Sequence, residues 1–215
     1  MQPVRPREVN VPTLHGLLYG LYKAPAEHKG LVFVLDGTGC CRTNSLTNSL
    51  VEALSEAGYG TLQMNLLTYD EDRRLDPRND HELMGQRILS AYRCARDEET
   101  CKDAPIAFVA TGVAAASALK TASQLGEEIS AVVALVGRPD KVLESLSNVR
   151  CPVRFVVSED EADMLSVNQA AMAALPDGVD HDLVTVAHWV REEECLESRA
   201  DALKSVTEWV EKYLP

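Results

Sequence analysis

Residues able to do chemistry collect at four places in this sequence. They are the run Asp36-Gly37-Thr38-Gly39-Cys40-Cys41-Arg42, the step Ala110-Thr111-Gly112-Val113-Ala114, the acidic stretch 158–163, and Ala187-His188. Each follows a short β-rich run. A thiol of Cys40 or Cys41 beside a base such as His188 could ionise and attack an electrophile. The plainer reading makes both cysteines small apolar fillers at a helix start. The glycines of 36–39 would let backbone N–H groups face an anion. Asp36, Thr38, Cys40 and Val113 are the expected binding contacts around such a ligand. A tight strand-to-helix turn with no ligand needs the same glycines. Asp160 or Glu161 could orient a histidine, whereas a solvated acidic turn has the same composition. His188 is either that histidine or a loop residue packed by Trp189. Thr111 offers a hydroxyl, but strand alternation points it away from the tip of the turn at Gly112.

Several familiar chemistries fail on particular residues. A dinucleotide fingerprint needs a third glycine at position 42, which is Arg42. Asp36-Gly37-Thr38 approaches the first motif of haloacid-dehalogenase-like phosphatases, but their nucleophilic Asp would fall at Val34. There is no C-x-x-C and no His/Cys spacing suited to zinc. No metal and no cofactor are expected.

These turns need a frame. Residues 9–12 and 17–23 read as an antiparallel hairpin. Residues 31–35 are continuously apolar, as a strand buried on both faces requires. A helix follows over 44–57, stopped by Gly58, and then a strand over 60–67. Residues 68–79 read as a polar loop, after which Asp80 caps a helix to Arg96. Strands are predicted at 106–110, 129–136, 153–157 and 183–186. Helices are predicted at 113–125, 140–146, from the strand end at 157 to 175, and 196–214. Strands alternating with helices imply βαβ units and a mostly parallel, twisted sheet in a three-layer α/β/α sandwich. One domain over 1–215 is expected, with no cap domain. In such sheets ligands sit beyond the carboxyl ends of the strands, where all four turns fall.

Composition narrows the function classes. The chain has 215 residues and a formal net charge of −12. A field of that sign disfavours nucleic acid and anionic membrane. The first ten residues carry no apolar run, so no secretory leader is read there. No window reaches the length of a membrane span. Six cysteines in a chain this long do not form a disulfide scaffold. Cys94 and Cys101, seven residues apart, stand too far apart on a helix to bridge. The expectation is a cytoplasmic protein with reduced thiols, a monomer or homodimer.

The order of these elements resembles small α/β-hydrolase-fold proteins of the dienelactone-hydrolase-like group. The resemblance rests on Gly37-Thr38-Gly39, Arg42, Asn65-Leu66-Leu67-Thr68, Gly137-Arg138-Pro139-Asp140 and Ala187-His188. It spans about 17–214. In that group a His-Gly-x-Gly turn helps form the oxyanion hole, and Asp36 stands where its His would be. The group's nucleophile elbow, G-x-S-x-G, corresponds to residues 110–114. Gly112 takes the serine's place, and Ala110 and Ala114 replace the glycines. The resemblance implies His188 as triad base and Asp160 or Glu161 as its acid, within hydrogen-bonding reach. It also puts Gly112 at the tip of a strand-to-helix turn with positive φ. Two functions remain open. One is a site that has lost its chemistry and binds a small molecule or a protein partner. The other is a hydrolase of esters or related acyl compounds using Cys41, Cys40 or Thr111 as a displaced nucleophile.

Overall fold

A computed structural model describes residues 5–14, 16–39, 44–187 and 196–215. Eight strands form one sheet in the order β1-β2-β4-β3-β5-β6-β7-β8. The strands are β1 (Arg7–Thr13), β2 (Gly16–Lys23), β3 (Leu31–Asp36), β4 (Gly60–Asn65), β5 (Ile106–Thr111), β6 (Ala131–Leu135), β7 (Val153–Ser158) and β8 (His181–Val186). β1, β2 and β4 pair antiparallel, and every other neighbour pair is parallel. The helices are α1 (Ser45–Glu56), α2 (Tyr69–Asp72), α3 (Leu75–Arg78), α4 (His81–Asp97), α5 (Val113–Leu125), α6 (Leu143–Leu146), α7 (Ala162–Ala173) and α8 (Leu196–Tyr213).

The central strands are apolar on both faces because both faces are covered. Along β3, Leu31, Phe33 and Leu35 join a core shared with α4, α5, α6 and α7. Val32 and Val34 point the other way, into a core with Leu50 and Leu54 of α1 and Val206, Trp209 and Val210 of α8. β5 repeats this split, with Phe108 on one side and Val109 on the other. Period-two alternation thus serves two cores, which is why the run shows no polar face.

Three expectations shift in detail. Residues 68–79 are not a bare loop but carry α2 and α3. Thr68 and Glu71 close a capping box at the start of α2, a pattern present in the sequence as T-x-x-E. The predicted helix at 140–146 is a 3-10 turn, Pro139–Val142, leading into α6. Cys101 lies beyond the end of α4, not on one helix with Cys94; its thiol meets the Tyr22 hydroxyl at 3.1 Å, and both cysteines are free. Among the described residues no helix is long and apolar enough to cross a membrane.

Candidate functional site

The register places the polar strand ends side by side. Asp36 at the end of β3 pairs with Asn65 of β4 on one side and Thr111 of β5 on the other. The site is built around this edge.

Gly112 caps α5 with φ 55° and ψ −125°, directly after β5. Its N–H donates to Leu135 O at 3.0 Å, and Ala115 N–H donates back to Gly112 O at 3.2 Å. These bonds hold a sharp turn in a backbone region that L side chains rarely adopt. A Cβ built on Gly112 would meet nothing within 4 Å among the described residues. Among these residues the turn tip faces open space, and a side chain there would stand in the crevice. No side chain caps α5 among the described residues, so the start of the helix at Val113 and Ala114 has no capping acceptor there and can meet a ligand or solvent.

The glycines beside it are required by close packing. A Cβ on Gly37 would lie 2.2 Å from Val113 Cγ2 and 3.1 Å from Ala114 N. A Cβ on Gly39 would lie 2.9 Å from Thr68 O and 3.0 Å from Tyr69 Cα. Asn65 Nδ2 donates to Gly39 O at 2.7 Å and fixes this end of the turn. The 36–39 turn is wedged between the start of α5 and the start of α2.

Asp36 is only 3% exposed. Its carboxylate accepts from Thr38 N–H at 2.9 Å and from Asn44 Nδ2 at 2.8 Å. The Asn44 side-chain oxygen meanwhile caps α1 by accepting from Leu46 N–H and Thr47 N–H. The Thr38 N–H, read from the sequence as free to face an anion, is thus engaged by the protein's own carboxylate. Burial pushes the Asp36 carboxyl above its ordinary range, against these hydrogen bonds, and the nearby Asp72 charge adds to the rise. The group binds its proton more tightly folded than unfolded. Its contribution to stability is complete below 3.8 and is lost as pH rises through the higher folded value. Asp36→Asn is expected to gain stability relative to wild type as pH is raised from about 4 to about 7. Urea melts across that range check this, and a gap independent of pH would refute it.

The remaining candidates divide. Thr111 Oγ1 donates to Leu35 O at 3.5 Å, so the hydroxyl turns toward β3 rather than the turn tip. Asp160 is exposed and Glu161 half-buried, both in the turn after β7. That turn is tied to the end of β8, because Glu159 N–H donates to Val186 O at 3.0 Å and Ser158 pairs with Val186. His188 follows two residues later but lies, with Cys40 and Cys41, outside the described residues.

Sequence reasoning missed three features of the site. Asn44 and Asn65 hold the glycine turn from either side. Val136, just past β6, has φ 47°, unusual for a β-branched residue. It leads into Gly137, whose Cβ would sit 2.4 Å from Ala115 Cβ, so the chain presses against the first turn of α5 there. The asparagines were visible as polar residues at strand and helix ends; Val136 gave no signal.

No protein-family model matches the chain. Over 174 residues it is 29% identical to proteins from two strains of Mycobacterium tuberculosis that carry a provisional phosphoribosyl transferase name. The match takes in 81% of this chain but 39% of those relatives, so the chain spans about two fifths of their length. Among solved structures, a dienelactone hydrolase from Anabaena variabilis superposes over all of both chains with a TM-score of 0.91 at 24% identity. Est1E from Butyrivibrio proteoclasticus covers 96% of this chain and 98% of its own, with a TM-score of 0.80 at 12% identity. A Pyrococcus furiosus esterase covers 99% of this chain and 92% of its own, at 0.74 and 14%. The chain has the α/β-hydrolase fold of these dienelactone-hydrolase and esterase structures.

Proposed function

We propose that this chain binds a small molecule, or a segment of a protein partner, in the crevice over Gly112, without serine-type covalent chemistry. The observation that carries this reading is the elbow itself. The backbone has the sharp positive-φ turn on which α/β-hydrolases present a nucleophile, and among the described residues open space lies where the side chain would project. The residue there is glycine, so no atom is present to form an acyl intermediate. The uncapped start of α5 and the buried Asp36 remain to contact a polar ligand group.

A displaced nucleophile is the competing reading. Thr111 is disfavoured by its hydrogen bond toward β3. Cys40 and Cys41 keep a thiol enzyme in play, with His188 as base and Asp160 or Glu161 as its partner. The phosphoribosyl transferase name belongs to relatives whose greater part lies outside the match. Among the described residues nothing in the crevice speaks for that transfer.

Intact-mass measurement separates the two readings. After incubation with a fluorophosphonate the wild-type protein is expected to keep its mass. With substoichiometric iodoacetamide, labelling is expected to spread over exposed thiols with no single fast site. A stoichiometric phosphonyl adduct would overturn the proposal. Rapid alkylation confined to Cys40 or Cys41, lost in His188→Ala, would establish the thiol enzyme instead.

A further inference from the structure

Between β4 and α4 the chain crosses as a short strap. Its two helices, α2 and α3, have four residues each and bury no side chain. Tyr69 is left 64% exposed and Leu75 75% exposed, and all of 73–76 is exposed. Helices in a packed domain ordinarily bury an apolar face. This strap instead holds its two large apolar side chains in water.

Both feet of the strap stand on walls of the crevice over Gly112. The first foot is the start of α2. There Thr68 O, Tyr69 Cα and Asp72 Cβ press on Gly39, whose Cβ would meet them at 2.9, 3.0 and 3.1 Å. Glu71, held by Arg87 and by Thr68 N–H, locks this foot in place. The second foot is the start of α4. His81 Nδ1 lies 3.3 Å from Ser117 Oγ of α5, one helical turn beyond Val113 at the elbow. Asp80 caps α4 beside it, accepting from Leu83 N–H at 2.8 Å. The middle, residues 73–79, is joined to the first foot by the Asp72–Arg78 ion pair at 2.8 Å, with Arg78 48% exposed. An exposed pair of this kind adds little stability. Arg74, between the two helices, is extended at φ −115° and ψ 139° and gives α3 no side-chain cap. The middle can therefore swing while the feet stay fixed, as a hinged segment does.

We propose that residues 73–79 form a lid that closes over the crevice when a ligand fills it, laying Leu75 on that ligand. The lid rests on the reading of the crevice as a binding site. Closure is favoured by removing Leu75 from water, and that gain exists only when apolar surface lies beneath it. The ligand class is one with an apolar part turned toward the lid.

A known occupant placed in the crevice tests this. Gly112→Cys is treated with benzyl methanethiosulfonate, which transfers a benzylthio group to the thiolate and releases methanesulfinate. Wild type treated in the same way controls for the other thiols. Trypsin reports the lid, because Arg73, Arg74 and Arg78 lie within it, and mass spectrometry identifies each cut. Cleavage of a mobile segment tracks the population of its open form. Labelling of Gly112→Cys is expected to slow the cut at Arg74 about tenfold. The cut at exposed Arg150, just before β7 at the opposite ends of the strands, should not change. Adding Leu75→Ser should cancel the protection. Equal cutting at Arg74 with and without the label, or protection that survives Leu75→Ser, would overturn the lid and leave the binding reading standing. An introduced thiol that the reagent cannot reach would overturn both. Amide hydrogen exchange in wild type gives a check that needs no variant. Residues 73–79 are expected to exchange faster than Ile88 and Ala91 in the buried face of α4, and equal protection would overturn the lid.

Discussion

Wild-type protein is expected to hydrolyse short-chain p-nitrophenyl esters at a rate set by binding and backbone donors alone. In a triad hydrolase, loss of the nucleophile lowers kcat by about 10⁶, leaving about 10³–10⁴ over water. Gly112 imposes that loss here, while the turn that would carry the nucleophile is intact at φ 55° and ψ −125°. Gly112→Ser then becomes the informative variant. A Cβ at this position meets nothing within 4 Å among the described residues, so none of them would crowd the new hydroxyl in the crevice. Ala110 and Ala114 are fully buried in the core and do not reach that space. The cost is a non-glycine residue in a sparsely populated backbone region, about 1–3 kcal/mol. The variant is expected to fold, to accept a fluorophosphonate, and to raise ester turnover at least about a hundredfold over wild type, the usual yield of a positioned base. His188→Ala in the Gly112→Ser background should remove the gain. An inert Gly112→Ser variant that binds substrate would show that His188 is out of reach of the elbow. Wild-type turnover of about 1 s⁻¹ or more would end the non-catalytic reading outright.

The frame that carries these residues was legible because burial on two faces leaves an unmistakable trace. Residues 31–35 and 106–110 are apolar without a break, and each proves to feed two cores at once. The edge strand β8 was read short at its start, since His181 and Asp182 are polar. They are tolerated because Asp182 pairs with Arg154 on the neighbouring strand at 2.6 Å. The elbow was legible for a different reason: a strand running straight into an alanine-rich helix leaves one residue to turn the chain, and Gly112 is it. The roles of Gly37 and Gly39 were not legible. Conformational freedom was the natural explanation, whereas the structure requires them for contact with Val113 and with Thr68–Tyr69. Contacts between residues 29 to 77 positions apart leave no local pattern. The same holds for Arg87, which in sequence is one more charge on an amphipathic helix.

That arginine is where the largest loss of stability is expected. Arg87 reaches from α4 beneath the turn after β4. Its Nη1 donates to Leu66 O at 2.7 Å and to Glu71 Oε2 at 2.8 Å, and its Nη2 donates to Glu71 Oε1 at 2.7 Å. Glu71 Oε2 also accepts from Thr68 N–H and from the Thr68 hydroxyl. Arg87→Met would leave the carboxylate without its cation and the Leu66 carbonyl without its donor. Removing one partner of a buried pair costs about 3–5 kcal/mol. Glu71 is partly exposed, so the lower end applies, and a fall in Tm of about 6–12 °C follows for a chain of this size. Adding Glu71→Gln to Arg87→Met should cost less than the two changes summed, because the second removes the charge the first stranded. The pH dependence gives an independent check. Hydrogen bonding to Arg87 holds the Glu71 carboxyl down at about 2, from an ordinary 4.5. A depressed carboxylate stabilises the fold above its unfolded value, and that stability is lost as pH falls toward the folded one. The gap between wild type and Arg87→Met should therefore be full at neutral pH and close between 4.5 and about 2. A gap that stayed constant through that range would mean Arg87 acts by packing rather than charge. The consequence reaches the crevice, because Thr68 O and Tyr69 Cα are the atoms against which Gly39 is wedged. Loosening Glu71 frees α2, and with it one wall of the turn that carries Asp36.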